Sequence, residues 1–197
     1  MSPDGPGAAH PDRALHDVVL VRHGATEWSI DGRHTGRTDI PLVPEGEAQA
    51  RAAGTLLAGA SFALVLVSPL QRARRTAELA GYGDKAEVEP DLLEWDYGDY
   101  EGITSAEIHR TAPGWTVYTG AVPGGETLDQ VSARADRVIE RLRAADGDAL
   151  VFGHGHMLRV LAARWCQLDP VEGRRLPLET ATVSRLGWEH AVPGIRL

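Results

Sequence analysis

The sequence predicts an α/β fold, a three-layer α/β/α sandwich around a mostly parallel central sheet. Three observations carry this. Short apolar runs rich in Val and Leu (Asp17 to Val21, Phe62 to Val67, Ala149 to Phe152) alternate with stretches of helical pattern. Strands that read as unbroken apolar runs are buried on both faces, as parallel strands between two helix layers are. The third observation is size: 197 residues, 43% of them hydrophobic and 24% charged, suit one domain with a sizeable core rather than a disordered chain.

Residues 1–15 are rich in Pro, Gly and Ala and read as a flexible tail, which leaves 16–197 as a single domain. A strand over Asp17 to Val21 comes first. Pro44 to Leu57 reads as a helix, with proline at its start and alanines within. Phe62 to Val67 is a second strand. Pro69 to Ala80 follows as a helix, with Ser68 as its expected cap and Pro69 at its first position. Val88 centres a weak third strand. Residues 95–125 are irregular, dense in glycine, proline and aromatic side chains, and too long for a turn; this reads as a cap loop over a site. Glu126 to Ala145 is an amphipathic helix with Val131, Val138 and Leu142 on one stripe. Ala149 to Phe152 is a buried strand, Met157 to Trp165 a helix, and Thr182 to Trp188 a last strand near the sheet edge.

Composition narrows the function. The net charge of −8 disfavours nucleic acid and anionic membrane as partners. Cys166 is alone, so neither a disulfide within the chain nor a multi-cysteine zinc site is expected, and its flanks read as those of a core thiol. The first residues have neither the basic start nor the apolar stretch of a signal peptide, and no apolar run has the length of a membrane span. A reduced, cytoplasmic setting is the expectation. Lys85 is the one lysine; every other basic residue is arginine, whose planar fork suits phosphate.

Four features follow strands: Arg22-His23-Gly24, Ser68-Pro69-Leu70-Gln71-Arg72, Glu94 within Leu93-Glu94-Trp95, and Gly153-His154-Gly155-His156. In an open α/β sheet, ligands bind outside the carboxyl ends of the strands, so these residues are expected to converge. Two arginines, two histidines and a carboxylate suit a phosphate ester. Arg22 and Arg72 supply donors to the dianion. The histidines add more, and one of them, if neutral, can attack phosphorus. Backbone N–H groups near Gly24 and Gly155 can approach closely. Glu94 can protonate the leaving alkoxide and afterwards activate water. Such chemistry needs neither a metal nor an organic cofactor.

Arg22-His23-Gly24-Ala25-Thr26-Glu27-Trp28, continuing to His34-Thr35-Gly36-Arg37-Thr38-Asp39, resembles the histidine phosphatase superfamily, also called phosphoglycerate-mutase-like, as do Ser68 to Arg72 and Gly153-His154-Gly155. The resemblance spans about Asp17 to Trp188. It implies the phosphoglycerate-mutase-like fold, His23 as the phosphorylated nucleophile, Arg22, Arg72 and His154 as the phosphate pocket, and Glu94 as the proton donor. Ser29, Thr35 and Gly36 fall where that family lines the phosphate site or its mouth.

The superfamily holds mutases and phosphatases. Mutases typically have Asn where Ser29 stands, an Arg where Trp95 stands, a longer and more basic insertion, and a tail that shields the phosphoenzyme. The segment from Gly102 to Glu126 is short, with Arg110 and His109 as its basic residues, and the chain ends soon after Trp188. The resemblance is therefore strongest to the small phosphatase branch, including acid phosphatases, and the expected partner is a small phosphorylated metabolite. Asp96, Asp99 and Glu101 near the mouth are expected to disfavour highly charged substrates, and Trp28, Trp95 and Trp115 either stack on the leaving group or simply pack. A cofactor-dependent phosphoglycerate mutase is the alternative. A metal-dependent hydrolase on His23, His154 and His156 with Glu94 or Asp96 is a more distant one. A serine hydrolase lacks its G-x-S-x-G. A homodimer through the last strand, with Leu186, Trp188 and Val192, is compatible with the sequence, and so is simple packing.

Overall fold

The computed structural model describes residues 15–196; residues 1–14, nearly all of the stretch read as a tail, lie outside the described residues. The elements run β1 (Val18–Arg22), α1 (Glu27–Ile30), α2 (Pro44–Leu56), β2 (Leu64–Val67), α3 (Gln71–Leu79), β3 (Glu87–Val88), α4 (Ser105–Ile108), α5 (Leu128–Arg143), β4 (Ala149–Gly153), α6 (Gly155–Trp165), β5 (Val183–Glu189) and β6 (Val192–Arg196). The strands form one sheet in the order β3-β2-β4-β1-β5-β6. The first four in that order are parallel; β5 runs antiparallel to β1, and β6 to β5.

Alternation along the strands divides the core in two. Val18 and Leu20 of β1, Leu66 of β2 and Val151 of β4 face one layer, with Val131, Val138 and Leu142 of α5 and Met157, Leu158 and Leu161 of α6. Val19, Val21, Val65, Val67, Leu150 and Phe152 face the other, against Ala53 of α2 and Ala73 and Ala77 of α3. Each central strand is thus apolar on both faces, which is why it reads as a run with no polar alternation. The central strands are fully covered by helices on both sides, the expected three layers.

Several boundaries differ from the expectation. Helix α3 starts at Gln71, with Leu70 at the cap position and no side-chain cap bond. Ser68 does not cap it conventionally: its Oγ accepts only a 3.4 Å bond from the Leu70 amide and lies 2.7 Å from His154 Nε2. Helix α5 starts at Leu128, because Thr127 and Gln130 form a reciprocal capping box. Helix α6 starts at Gly155, two residues early.

Strand β6 is an addition to the expectation. It is joined to β5 by a turn at His190 and Ala191, both at positive φ (47° and 66°). Such two-residue hairpins usually carry Asn-Gly, and the sequence lacks that signal. Leu186 is buried and the Trp188 ring packs 5.3 Å from that of Trp165, so both serve their own sheet, while Val192 is exposed. Cys166 is half-buried against the α5/α6 core, and burial pushes its thiol up. No helix among the described residues is long and apolar enough to cross a membrane.

A non-glycine residue in the left-handed region costs about 1 kcal/mol. Ala191→Gly is therefore expected to raise the unfolding free energy by about that amount, read from the urea midpoint. A lower midpoint would show that Ala191 is not strained.

Candidate active site

A cleft of about 230 Å³ opens at the carboxyl ends of β1 and β4 and is lined by Arg22, His23, Ser29, Gly32, Arg33, His34, Thr35, Glu94, Tyr97, Ser105, Gly155, His156, Arg159 and Leu178. The His23 amide donates to the Gly153 carbonyl (3.0 Å) and the His23 carbonyl accepts from the Ala181 amide (3.1 Å), so its backbone is pinned on both sides. Behind it the chain passes α2 at very close range: a Cβ on Gly24 would meet the Gly46 carbonyl oxygen at 2.2 Å, and one on Gly46 would meet that of Ala25 at 2.1 Å. Both glycines are required by this approach.

His23 Nδ1 lies 2.8 Å from the Gly24 carbonyl oxygen, which can only accept. Nδ1 therefore carries the proton, and Nε2 keeps its lone pair. Burial, then the charges of Arg72 and Arg22, hold this imidazole well below the usual histidine range, so it is neutral. His154 is fully buried beside it, ring centroids 5.2 Å apart. Its Nδ1 accepts from Arg72 Nε (3.2 Å), which leaves Nε2 as a donor to Ser68 Oγ (2.7 Å). Burial and the Arg72 charge hold His154 neutral as well. The structure thus gives it no positive charge to offer.

Arg22 is half-buried, with Nη1 donating to the Leu178 carbonyl, while its Nε is buried with no partner in the protein. An unmatched buried donor is costly, about 1–3 kcal/mol, and marks a place for an acceptor. Arg72 is wholly buried and does not line the cleft. It donates to the carbonyls of Thr35 (3.1 Å), Gly36 (2.9 Å) and Thr38 (2.9 Å) and to His154, holding the strap from Thr35 to Thr38. Its charge still reaches His23, where it ranks above that of Arg22.

Glu94 lies on no strand; it follows a short 3₁₀ turn (Pro90–Leu92). Its Oε1 accepts from the amides of Trp95 (2.9 Å) and Met157 (2.8 Å), and Oε2 from that of His156 (3.0 Å). The carboxylate therefore satisfies two orphan amides at the start of α6. Two bonds on Oε1 and one on Oε2 leave a free lone-pair position on Oε2.

The remaining expected residues divide. Ser29 and Thr35 line the cleft, but the Ser29 hydroxyl donates to the Thr26 carbonyl (2.9 Å) and the Thr35 hydroxyl to that of Arg33 (3.2 Å). Gly36 is packed under Trp95 and Tyr97, away from the cleft. Gly155 borders the Arg22 guanidinium, where a Cβ would lie 3.4 Å from its Nε. Trp95 and Trp115 are buried, their indole N–H groups spent on the carbonyls of Glu126 and Ala121, and Trp28 packs over Gly102; none of the three lines the cleft. Glu101 accepts from the amides of Gly36 and Thr38, and Asp96 pairs with Arg37 (3.5 Å), so these carboxylates hold the strap and do not guard the mouth.

Sequence reasoning missed much of the far wall. His34 Nδ1 bonds the Ile103 carbonyl (2.9 Å), and the Tyr97 hydroxyl lies 2.6 Å from His156 Nδ1. Burial, then Arg159, holds His156 neutral, and burial raises Tyr97 well above the usual phenol range. Arg159, whose donors meet only carbonyls, brings positive charge to the cleft, while Arg33 at its rim pairs with Asp31 (3.6 Å). Arg159 is one helical turn beyond Gly155, a spacing that puts both on one face. Among the described residues, no three His, Cys, Asp or Glu side chains group as metal ligands would.

The model of the histidine phosphatase superfamily (branch 1) matches residues 18–197, and the chain belongs to that superfamily. An acid phosphatase of Mycobacterium tuberculosis is 41% identical over 181 residues, 90% of this chain and 89% of the relative. A 2,3-bisphosphoglycerate-dependent phosphoglycerate mutase of Gloeobacter violaceus is 31% identical over 193 residues, 90% and 87% of the two chains. The solved structure of an open reading frame from Mycobacterium tuberculosis superposes with a TM-score of 0.88 at 40% identity, covering 92% of this chain and 96% of the other.

His23, His154 and His156 are all held below the ordinary histidine value near 6.5. As pH falls through about 6.5, the unfolded chain binds protons that the fold refuses. Folding stability present above that pH is then lost at up to about 1.4 kcal/mol per pH unit for each ring. Urea unfolding at pH 7.5 and 5.5 reads this; equal free energies would contradict the neutral assignment.

Proposed function

We propose that the chain is a phosphatase that hydrolyses small phosphate monoesters through a phosphohistidine on His23. The observation that carries the reading is the tautomer of His23: Nδ1–H is fixed on the Gly24 carbonyl and Nε2 is left with its lone pair, beside the unmatched Nε–H of Arg22. His23 Nε2 attacks phosphorus, the P–O ester bond breaks, and the leaving oxygen takes a proton from Glu94 at the free position of its carboxyl group. Water then attacks the phosphohistidine and gives its proton to Glu94. The P–N pair returns to Nε2 and inorganic phosphate leaves. Arg22 and the charge of Arg72 neutralise the transferring group. The acid phosphatase among the relatives supports hydrolysis.

Phosphoryl transfer between hydroxyls of phosphoglycerate is the second reading. Arg159 at the cleft favours it, since it offers charge that a carboxylated substrate needs, and one relative bears a mutase name. A panel of phosphate esters, carboxylated and bisphosphorylated ones included, run beside a 3-phosphoglycerate isomerisation assay, separates the two. Hydrolysis across the panel with no isomerisation is expected; isomerisation outpacing hydrolysis would favour the mutase.

His23→Ala is expected to lower turnover of p-nitrophenyl phosphate by about 10⁴-fold or more, and alkaline quench of the unmodified protein to trap acid-labile phosphate on His23. Label on His154 would reverse the roles. Glu94→Gln is expected to slow an alkyl phosphate about 10²-fold or more, and p-nitrophenyl phosphate far less, because a good leaving group needs no proton. Equal losses would remove Glu94 as the donor.

A further inference from the structure

Helix α5 carries a charge where its pattern calls for an apolar residue. Arg134 falls on the buried stripe with Val131, Ala135 and Val138, and is itself buried. All five of its N–H groups are spent. Nε and one Nη2 hydrogen bond Glu126 in a two-pronged pair (2.9 and 2.8 Å). Nη1 donates to the carbonyls of Asp91 (2.6 Å) and Leu93 (2.8 Å), and Nη2 also reaches that of Glu94 (3.5 Å). Glu126 in turn accepts from the Asp96 amide (3.0 Å), while its own amide donates to the Asp96 carbonyl (2.9 Å) and its carbonyl accepts the Trp95 indole N–H (2.8 Å).

This largely buried ion pair, with Arg37 Nη2 3.4 Å from Glu126 on its outer side, therefore grips the chain at 91, 93, 94, 95 and 96, on both sides of Glu94. The segment has no strand or α-helix to hold it. A buried ion pair adds little net stability against an apolar replacement, because desolvation offsets its attraction. Stability alone is thus a poor reason for a charge on this stripe.

We infer that Arg134 and Glu126 are positioning residues that aim the Glu94 carboxyl group, a role that rests on Glu94 being the proton donor. Neither residue lines the cleft, so neither touches substrate. Their loss releases the segment while Arg22 and His23 stay in place. A proton donor displaced by about 1 Å loses much of its effect, whereas substrate binding does not change.

The test compares an alkyl phosphate such as glycerol phosphate with p-nitrophenyl phosphate. In Arg134→Met and Glu126→Gln, kcat for the alkyl ester is expected to fall about 10-fold or more beyond any fall for the nitrophenyl ester, with KM for both within about twofold; Arg134→Lys recovers part of the loss. A purely structural role lowers both substrates in proportion to the folded fraction. Proportional loss, beside a Glu94→Gln variant that does discriminate, overturns the inference and leaves the donor assignment standing. A Glu94→Gln variant that does not discriminate overturns both. Should Arg134→Met fail to fold, Glu126→Gln and Arg134→Lys decide, since each keeps a hydrogen-bonding side chain of nearly the same size.

Discussion

Parallel pairing of β1 with β4 sets Arg22 opposite Gly153, so the next residue of each strand, His23 and His154, leaves the sheet at the same edge. The bond from the His23 amide to the Gly153 carbonyl extends that register one step past the strand. A slip of one residue would turn Val19 and Val21 into the other core and carry the imidazole of His23 away from Arg72 and from the start of α6. The cleft is thus a property of the sheet. Its walls, from loops and helix ends, attach to a frame that strand pairing has already fixed.

Charge is distributed in two ways. On the surface, carboxylates meet arginines in pairs such as Asp91–Arg137, Glu89–Arg141 and Asp136–Arg164, most of them solvent-accessible and individually worth little. At the cleft, Arg22 and Arg159 donate to carbonyls instead, and Arg72 behind it to carbonyls and an imidazole. A carbonyl orients a guanidinium without cancelling its charge. The acidic total of the chain therefore coexists with a cationic site, and net charge says little about what enters it.

The fold was legible because its central strands are unbroken apolar runs and its longest helix shows its stripe. Strand β6 was not, because its turn is made by His190 and Ala191 in place of the residues that usually signal one. The residues that ride on strand ends, Arg22, His23 and His154, could be expected at one edge, and Glu94 joins them from a segment with no regular structure. What hydrogen bonding does to them could not be read: that Arg72 is spent on the strap behind the cleft, that His154 is held uncharged, and that Glu94 closes a helix end. Such facts depend on which carbonyl or amide lies within 3 Å, and linear order holds no record of that. Arg134 did leave a trace, since a charge on an apolar stripe asks for a buried partner.

The carbonyl cradle around Arg72 has a consequence for turnover in a cell. A guanidinium neutralised by a carboxylate could be uncovered when substrate arrives and covered again when it leaves. Carbonyl groups offer no such exchange, so on the proposed reaction the attraction is the same for an ester and for the orthophosphate it becomes. On that reaction, release of product would be a matter of mass action, and free phosphate would compete for the groups that bind the substrate.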